Sequence, residues 1–443
     1  MWIGIDDTDS HLSGCTTFVA GIILSQIQHL DLNLIGYPRL VRLNPNVPWK
    51  TRGNGSVSFQ IGKGCGEPLK IGRMHGNDII SYPTIEKKHI KQSFIDRCKE
   101  LLVNEIYSMA QLEEKDTNPG LVIVEEQFHE SLYWEAVRTI VEKDKIVSNI
   151  KDQKGWFKEF KNGRGIIGAT AGIAWRGVHD NTYELITYRK KDRWGTTRYI
   201  DEDSVIKMDK QIPLTFDNFD YEEHQINIMP HSPCPVLYGV RAESASVLPA
   251  CMKIIQTEFF DDWLIFLSNQ GTDDHLVPSS INKVYPFQSV ILEGVVVAPP
   301  ITISGGHVIF SITDGNNHVI DCAGYEPTKQ FREIIRQIEP GDVVKVYGGI
   351  RKKPFTVNLE KIEVKHCVDV MEKIENPVCP VCKKHMKSKG KNQGYICRKC
   401  KTKTSNAVMK KKKRNIMETI YEVPVCARRH LSKPMKRRGK IIR

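Results

Sequence analysis

The chain lacks any uninterrupted apolar run near the ~20 residues that a membrane-spanning helix requires. Its N-terminus shows no basic-then-apolar leader. A membrane-embedded or exported protein is therefore not expected, and the reading is a cytoplasmic one. A disulfide framework is also missing. Of 12 cysteines, eight (Cys15, Cys65, Cys98, Cys234, Cys251, Cys322, Cys367 and Cys426) are scattered without regular spacing. No Walker-type glycine–lysine motif is present, so a phosphate site would need other parts. Acidic residues nearly vanish towards the C-terminus. From Lys383 to Arg443, 22 Lys plus Arg face only Glu418 and Glu422, which leaves the preceding residues at −8 of a chain carrying +12 overall. A mildly acidic body with a strongly basic end suits a protein that brings a polyanion to a reaction site; a solvated basic tail has the same composition.

An apolar content of 40% with 26% charged residues is ordinary for a globular chain, and 443 residues predict about three or four domains. The organising stretch is Met1 to Thr17, MWIGIDDTDSHLSGCTT. Trp2 to Ile5 reads as a buried strand that delivers Asp6, Asp7 and Asp9 to its mouth. Ser13 and Gly14 turn the chain, and Thr16 or Thr17 stands at the N-cap of the helix that follows. Strand, turn and helix N-terminus make a phosphate cradle, because free N–H groups and the helix dipole attract anions. Three carboxylates beside it invite Mg2+, an oxygen-seeking cation that bridges carboxylates to phosphates. An acidic turn before an ordinary capped helix fits the same residues.

Two strands, Gly36–Leu43 and Gly55–Ile61, flank the loop NPNVPWKTRGNG. It offers Lys50 and Arg52 with the permissive backbone of Gly53, Asn54 and Gly55, either as a phosphate loop or as a plain hairpin turn. Residues 62–82 read as a Gly- and charge-rich connection. Thr84 to Ala110 has helical apolar spacing, with His89 on its surface. A second unit is expected to begin near Thr117, with a strand at Leu121–Glu125, a helix from Trp134 to Val147, and β-α-β stretches reaching 267. Between Ser289 and Val364, five short alternating strands with a helix before the fourth follow the order of an OB-fold, a small barrel that often binds nucleic acid.

Cys379-Pro-Val-Cys382 and Cys397-Arg-Lys-Cys400 are two Cys-x-x-Cys knuckles whose four thiolates can close a tetrahedral, structural Zn2+ site. Lys383, Lys384 and Lys399 surround it, and Lys411 and Arg414 follow in a basic run. Tyr395 is available to stack on a base. These are the residues expected to contact RNA or DNA. The expected fold is multidomain α+β: 1–112 catalytic, 113–283 a connecting β-α-β region, 284–366 OB-fold, 367–408 zinc ribbon, 409–443 basic tail.

The runs IGIDDTDS–CTT, PRLVRLNPNVPWKTRGNGSVSF, GRGIIGATAGIAW, TYELITYR, PVLYGVRAE and LSNQGTDDH resemble the archaeal tRNA(Ile) 2-agmatinylcytidine synthetase family, nearly end to end. The resemblance implies a kinase-like α/β N-terminal domain, a ferredoxin-like domain, an OB-fold and a zinc ribbon. It implies an ATP-dependent ligase that attaches agmatine to the wobble cytidine of an isoleucine tRNA with a CAU anticodon, releasing AMP and phosphate. It also implies ATP, Mg2+ and Zn2+ as cofactors, with no membrane and no obligate protein partner. Thr16 matches the family's autophosphorylated threonine, and Asp6, Asp7 and Asp9 its Mg2+-handling carboxylates. Lys50, Arg52, Gly53, Asn54 and Gly55 match its ATP-phosphate loop. For dicationic agmatine the matched stretches offer Glu184, Asp217 and Asp273, while Cys234 stands where a small polar or acidic residue is expected. The competing reading is a non-catalytic OB-fold and zinc-ribbon protein that binds single-stranded nucleic acid.

Overall fold

Strand β1 (Trp2–Asp6) is buried along its whole length, so both of its faces need cover. The computed structural model, which describes residues 1–86 and 90–439, supplies it. His89 lies outside the described residues. Side chains alternate along the strand. Ile3 and Ile5 join the core under helices α1 (Thr16–Ile27) and α2 (Gln92–Met109). On the opposite face, Trp2 packs with helices α3 (Ser131–Arg138), α4 (Lys143–Asp152) and α5 (Gly165–Ala174). Small residues let α5 press onto this strand: a Cβ on Gly4 would lie 2.3 Å from the Ala169 carbonyl oxygen. All ten residues of α5 are buried in consequence.

The other body strands are β2 (Asn33–Arg42), β3 (Gly55–Gly62), β4 (Leu69–Met74), β5 (Asn77–Tyr82), β6 (Gly120–Val124), β7 (Trp156–Glu159), β8 (Thr182–Tyr188), β9 (Thr215–Phe216), β10 (Val236–Ala242) and β11 (Asp262–Ser268). They form one sheet with β1, in the order β9-β10-β8-β11-β4-β5-β2-β3-β1-β6-β7. Helices α6 (Glu202–Gln211) and α7 (Leu248–Ile254) bury Val205, Met208, Leu248 and Cys251 against its far half. Three features differ from the sequence reading. Residues 69–82 are not a connection but a hairpin of the sheet, closed at His75 and Gly76, both at positive φ. The helix expected from Thr84 begins only at Gln92, because Thr84–Ile85 pairs as a short strand with Gly64–Cys65. The expected border at 112/113 is crossed by β1–β6 pairing, Ile5 opposite Leu121.

Beyond the body, β12 (Ser289–Val296), β13 (Val308–Thr313), β14 (Val319–Gly324), β15 (Val343–Ile350) and β16 (Thr356–His366) form a closed ring. β12 pairs with β13, β13 with β14, β14 in parallel with β16, β16 with β15, and β15 with β12. Helix α8 (Phe331–Ile335) stands between the third and fourth strands of this barrel. A small ribbon follows, built on three two-residue strands at 387–388, 395–396 and 403–404. The chain then turns back. Ile420–Glu422 adds to β16, and residues 424–438 run across the body.

Candidate active site and metal centre

β1 and the Lys50–Gly55 loop meet in one cleft of about 560 Å3, a volume suited to a nucleotide-sized ligand. Asp6, Asp7, Asp9 and Thr16 line it together with Lys50, Arg52, Gly53, Asn54 and Gly55. Local backbone explains the placement. Asp7 sits in the left-handed region (φ 58°), an uncommon conformation for a non-glycine residue, and its carboxylate accepts the Asn118 N–H at 3.0 Å. Asp6 faces α5 so closely that a Cβ on Gly168 would lie 1.9 Å from its Oδ2. At α1 the N-cap position is held by Cys15 without a side-chain cap, not by a threonine. Thr16 is the first helical residue, and its Oγ1 accepts a hydrogen bond from Thr8 at 3.1 Å.

Arg52 ties the two sides together. Its Nε donates to Asp9 Oδ2 at 2.9 Å, its Nη2 to the Gly14 carbonyl at 2.6 Å, and its Nη1 to Ser232 at 3.0 Å. The loop itself is braced by Asn54, whose carbonyl accepts Leu43 N–H at 3.0 Å and whose amide donates to Asn44 O at 3.0 Å. Burial, then the neighbouring Asp9, pushes the Asp7 carboxyl up to about 7. Burial, then Asp7, raises Asp6 well above the ordinary carboxylate range. Two carboxylates, Asp6 buried and Asp7 half-buried, with their charged forms disfavoured, are a donor set that fits a hard divalent cation.

Several lining residues escaped the sequence reading. Arg164, at the start of α5, stacks over the exposed ring of Trp49 at 4.3 Å. Arg42 donates to the Gly53 carbonyl at 2.9 Å. His430 comes from far along the chain. Its Nδ1 accepts Arg241 Nη2 at 2.7 Å, and its ring meets Gly53 so closely that a Cβ there would clash at 2.9 Å. The Arg42 charge, then burial and the charges of Arg241 and Lys50, hold the His430 imidazole neutral. Only the small-residue run GRGIIG and the basic CARRH segment hinted at them in the sequence.

The three carboxylates offered for an amine part company. Glu184 lines the cleft, buried, with Arg241 at 3.6 Å and the Gln270 amide donating to it. Asp217 is bound to Arg428, and Asp273 to the fully buried Lys361 at 2.6 and 2.8 Å. Cys234 also lines the cleft, buried.

In the ribbon, Cys379, Cys382, Cys397 and Cys400 bring their Sγ atoms within 4.8 Å of one another, with Cys382 and Cys397 at 3.5 Å. Tetrahedral zinc at a Zn–S bond of about 2.3 Å needs sulfurs about 3.8 Å apart, so the four thiols fit the ion. The two knuckles repeat each other. Cys379 N–H bonds Lys384 O and Cys397 N–H bonds Thr402 O, while Lys383 and Lys401 both take positive φ. Bound zinc would supply the cohesion that so small a core, Met386 and Tyr395 beside the thiols, cannot. Lys383, Lys384 and Lys399 are exposed around it, and so is Lys411. Two others have different settings. Tyr395 is buried under Lys373, and Arg414 is nearly enclosed, bonded to the fully buried Asp342. Neither offers a free face to a base or phosphate.

Among the described residues no helix is long and apolar enough to cross a membrane. Family models match most of the chain: the TiaS TCKD domain over residues 2–162, the TiaS FLD domain over 163–275, and the TiaS C-terminal zinc ribbon domain over 376–416. The first of these ends well beyond the expected border at 112 and takes in β6 and β7. The 2-agmatinylcytidine synthetase TiaS of Methanocaldococcus jannaschii, which acts on an isoleucine tRNA, is 40% identical over 98% of each chain. That of Archaeoglobus fulgidus is 38% identical over 99% of this chain and 97% of its own. A solved complex of TiaS with its isoleucine tRNA and ATP superimposes with a TM-score of 0.84 at 37% identity, covering 100% of this chain and 99% of its own. A complex of TiaS with the tRNA, AMPCPP and agmatine does so at 0.81 and 35%, covering 99% and 97%.

Proposed function

The chain belongs to the tRNA(Ile) 2-agmatinylcytidine synthetase family, and from that premise we propose what its cleft does. It is an ATP-dependent ligase that joins agmatine to the wobble cytidine of the isoleucine tRNA with a CAU anticodon, enabling AUA decoding. ATP phosphorylates the C2 oxygen of the base, the amine of agmatine forms the C2–N bond as that oxygen departs within a phosphate, and the other phosphoryl group of ATP passes to water, so that AMP and two phosphates leave. Tight likeness along the whole length to synthetases sets aside the non-catalytic alternative.

The observation that carries the reading is the opposition within one cleft of Asp6, Asp7 and Asp9 to Lys50, Arg52 and the Gly53–Gly55 backbone. Phosphoryl transfer asks mainly for positioning and charge neutralisation, and this opposition supplies both. Asp6 and Asp7 would hold Mg2+, which neutralises phosphate oxygens when bound. Arg52 fixes Asp9 and draws the loop against the mouth of β1. Lys50 and the loop N–H groups receive the phosphates. Thr16 lines the same cleft at the N-terminus of α1, which supports its taking a phosphoryl group. Of the carboxylates proposed for agmatine, Glu184 is favoured because it alone lines the cleft. The exposed ribbon lysines Lys383, Lys384, Lys399 and Lys411 contact the tRNA. In domain terms, 2–162 is the kinase-like part, 163–275 the ferredoxin-like part, and 289–366 an OB-fold, in a protein that works in the cytoplasm.

The test uses purified protein, the CAU tRNA, ATP and agmatine. AMP is expected only when all are present, with the anticodon fragment heavier by agmatine. Thr16→Ala and Asp7→Ala are expected to abolish that mass gain while tRNA binding is nearly kept. Equal modification by Asp7→Ala and the parent would remove the metal-site assignment.

A further inference from the structure

A second groove, of about 680 Å3, opens beside the cleft and shares Val47 and Lys50 with it. One wall is the 45–50 half of the phosphate loop. The other is the loop between β15 and β16, residues 351–355, which is the connection between the fourth and fifth strands of the barrel. Lys50, Arg351, Lys352, Lys353 and Arg429 line it, and no carboxylate does. All of 351–355 is exposed. Lys352 and Lys353 have no partner among the described residues, and Arg351 keeps its guanidinium edge free while its face lies over Tyr325 at 4.9 Å. Desolvation, then the facing Arg429, push the Lys50 ammonium down to about 8, with Glu360, the buried partner of Arg429, opposing the shift.

The two walls are bolted together. Asn46 donates to Gln288 O at 3.0 Å and to Ser289 Oγ at 2.8 Å, and Asn44 donates to Phe287 O at 3.1 Å. Gly349 admits this joint, since a Cβ there would fall 2.3 Å from Asn46 Oδ1. The groove is therefore set before any ligand arrives. In five-stranded barrels of this topology the fourth-to-fifth-strand loop is one of two that contact oligonucleotides. Exposed Phe355, on the same loop, adds a surface on which a base can stack.

We propose that this groove takes the sugar–phosphate backbone of a single-stranded RNA segment next to the reacting nucleotide, with Lys352 and Lys353 each neutralising a phosphate and Lys50 standing where strand and nucleotide phosphates meet. The proposal rests on the tRNA-modifying reading above and adds the path by which an unpaired loop reaches the cleft. Ribbon lysines, on a separate small unit, are not part of it.

The experiment measures binding of a CAU anticodon stem-loop RNA, and of a blunt RNA duplex of equal length, to the full chain and to Lys352→Ala/Lys353→Ala across a range of salt. For the stem-loop, the slope of log affinity against log salt becomes shallower by about 1.4, from about 0.7 per single-strand phosphate contact, and affinity at 0.1 M salt falls on the order of 20-fold. The duplex loses little. Turnover at saturating tRNA is kept, with the loss confined to KM for tRNA. An unchanged stem-loop slope overturns the proposal, as does an equal loss on the duplex. Because binding is read without turnover, a parent that binds in this way yet never modifies tRNA would sink the ligase reading and leave the groove standing.

Discussion

Two stretches of the basic C-terminal end are alike in composition and opposite in use. Around the ribbon, Lys383, Lys384, Lys399 and Lys411 point into solvent. Past it, the cations turn inward. Arg414 is held by Asp342, Arg428 by Asp217 and Glu422, Lys433 by Asp180, and Arg437 by Asp180 and Glu243. Arg429 reaches Glu360 at 3.3 Å. The acidic body and the basic end are thus partly each other's counterions, and only the remainder is offered to an outside polyanion. Net charge counts cations but says nothing about which are already paired.

The contrast can be broken most severely at the ribbon itself. Cys397→Ser removes one of four thiols, and the expected result is loss of zinc from the purified protein, protease cleavage within 376–416 and weaker tRNA binding with the body still folded. Next is Arg414→Ala, which leaves Asp342 buried without its cation and is expected to lower stability by about 3–5 kcal/mol in urea unfolding.

Glu360 tests the same inward pairing through pH. Burial pushes its carboxyl up, but His275, Arg429 and Lys361 outweigh this and hold it at about 2, against an ordinary 4.5. A depressed carboxyl stabilises the fold above its unfolded pKa and ceases to do so as pH falls through its folded one. Glu360→Gln is thus expected to cost about 3 kcal/mol near neutrality, and the gap from the parent should close between pH 4.5 and about 2 in pH-dependent unfolding. The smallest effect belongs to Lys411→Ala, whose side chain is 65% exposed beside an equally open Asp369. Stability should move by less than about 0.5 kcal/mol, while the salt dependence of tRNA binding becomes shallower.

What the sequence made legible is local. A strand ending in carboxylates, a helix after a glycine turn, two thiol knuckles and five alternating strands each announce themselves within a few residues. The hairpin at 69–82 did not, because its pattern is diluted by glycine and charge, and its stability comes from β2 and β11 on either side. Nor did the pairing of β6 with β1, since nothing in Gly120–Val124 names a partner more than a hundred residues away. The cleft followed the same rule. Its carboxylates and the Lys50–Gly55 loop were readable as motifs, whereas His430 and Arg241 meet across 189 positions and carry no shared pattern. Arg414 and Tyr395 look in the sequence like surface contacts; Asp342 and the ribbon core turned them inward.

The return of the chain also changes what counts as a domain. Backbone bonds from Gly271 N–H to His430 O (2.7 Å) and from Asp273 N–H to Leu431 O (2.8 Å) stitch the C-terminal stretch to the edge of the body, and His430 then lines the same pocket as Asp6, Asp7, Asp9 and Thr16. Barrel and ribbon are in effect guests, inserted into a discontinuous host that leaves off near 275 and resumes near 426. A deletion that respected this topology would splice those two points together; one that merely stopped at the ribbon would take out part of the pocket as well.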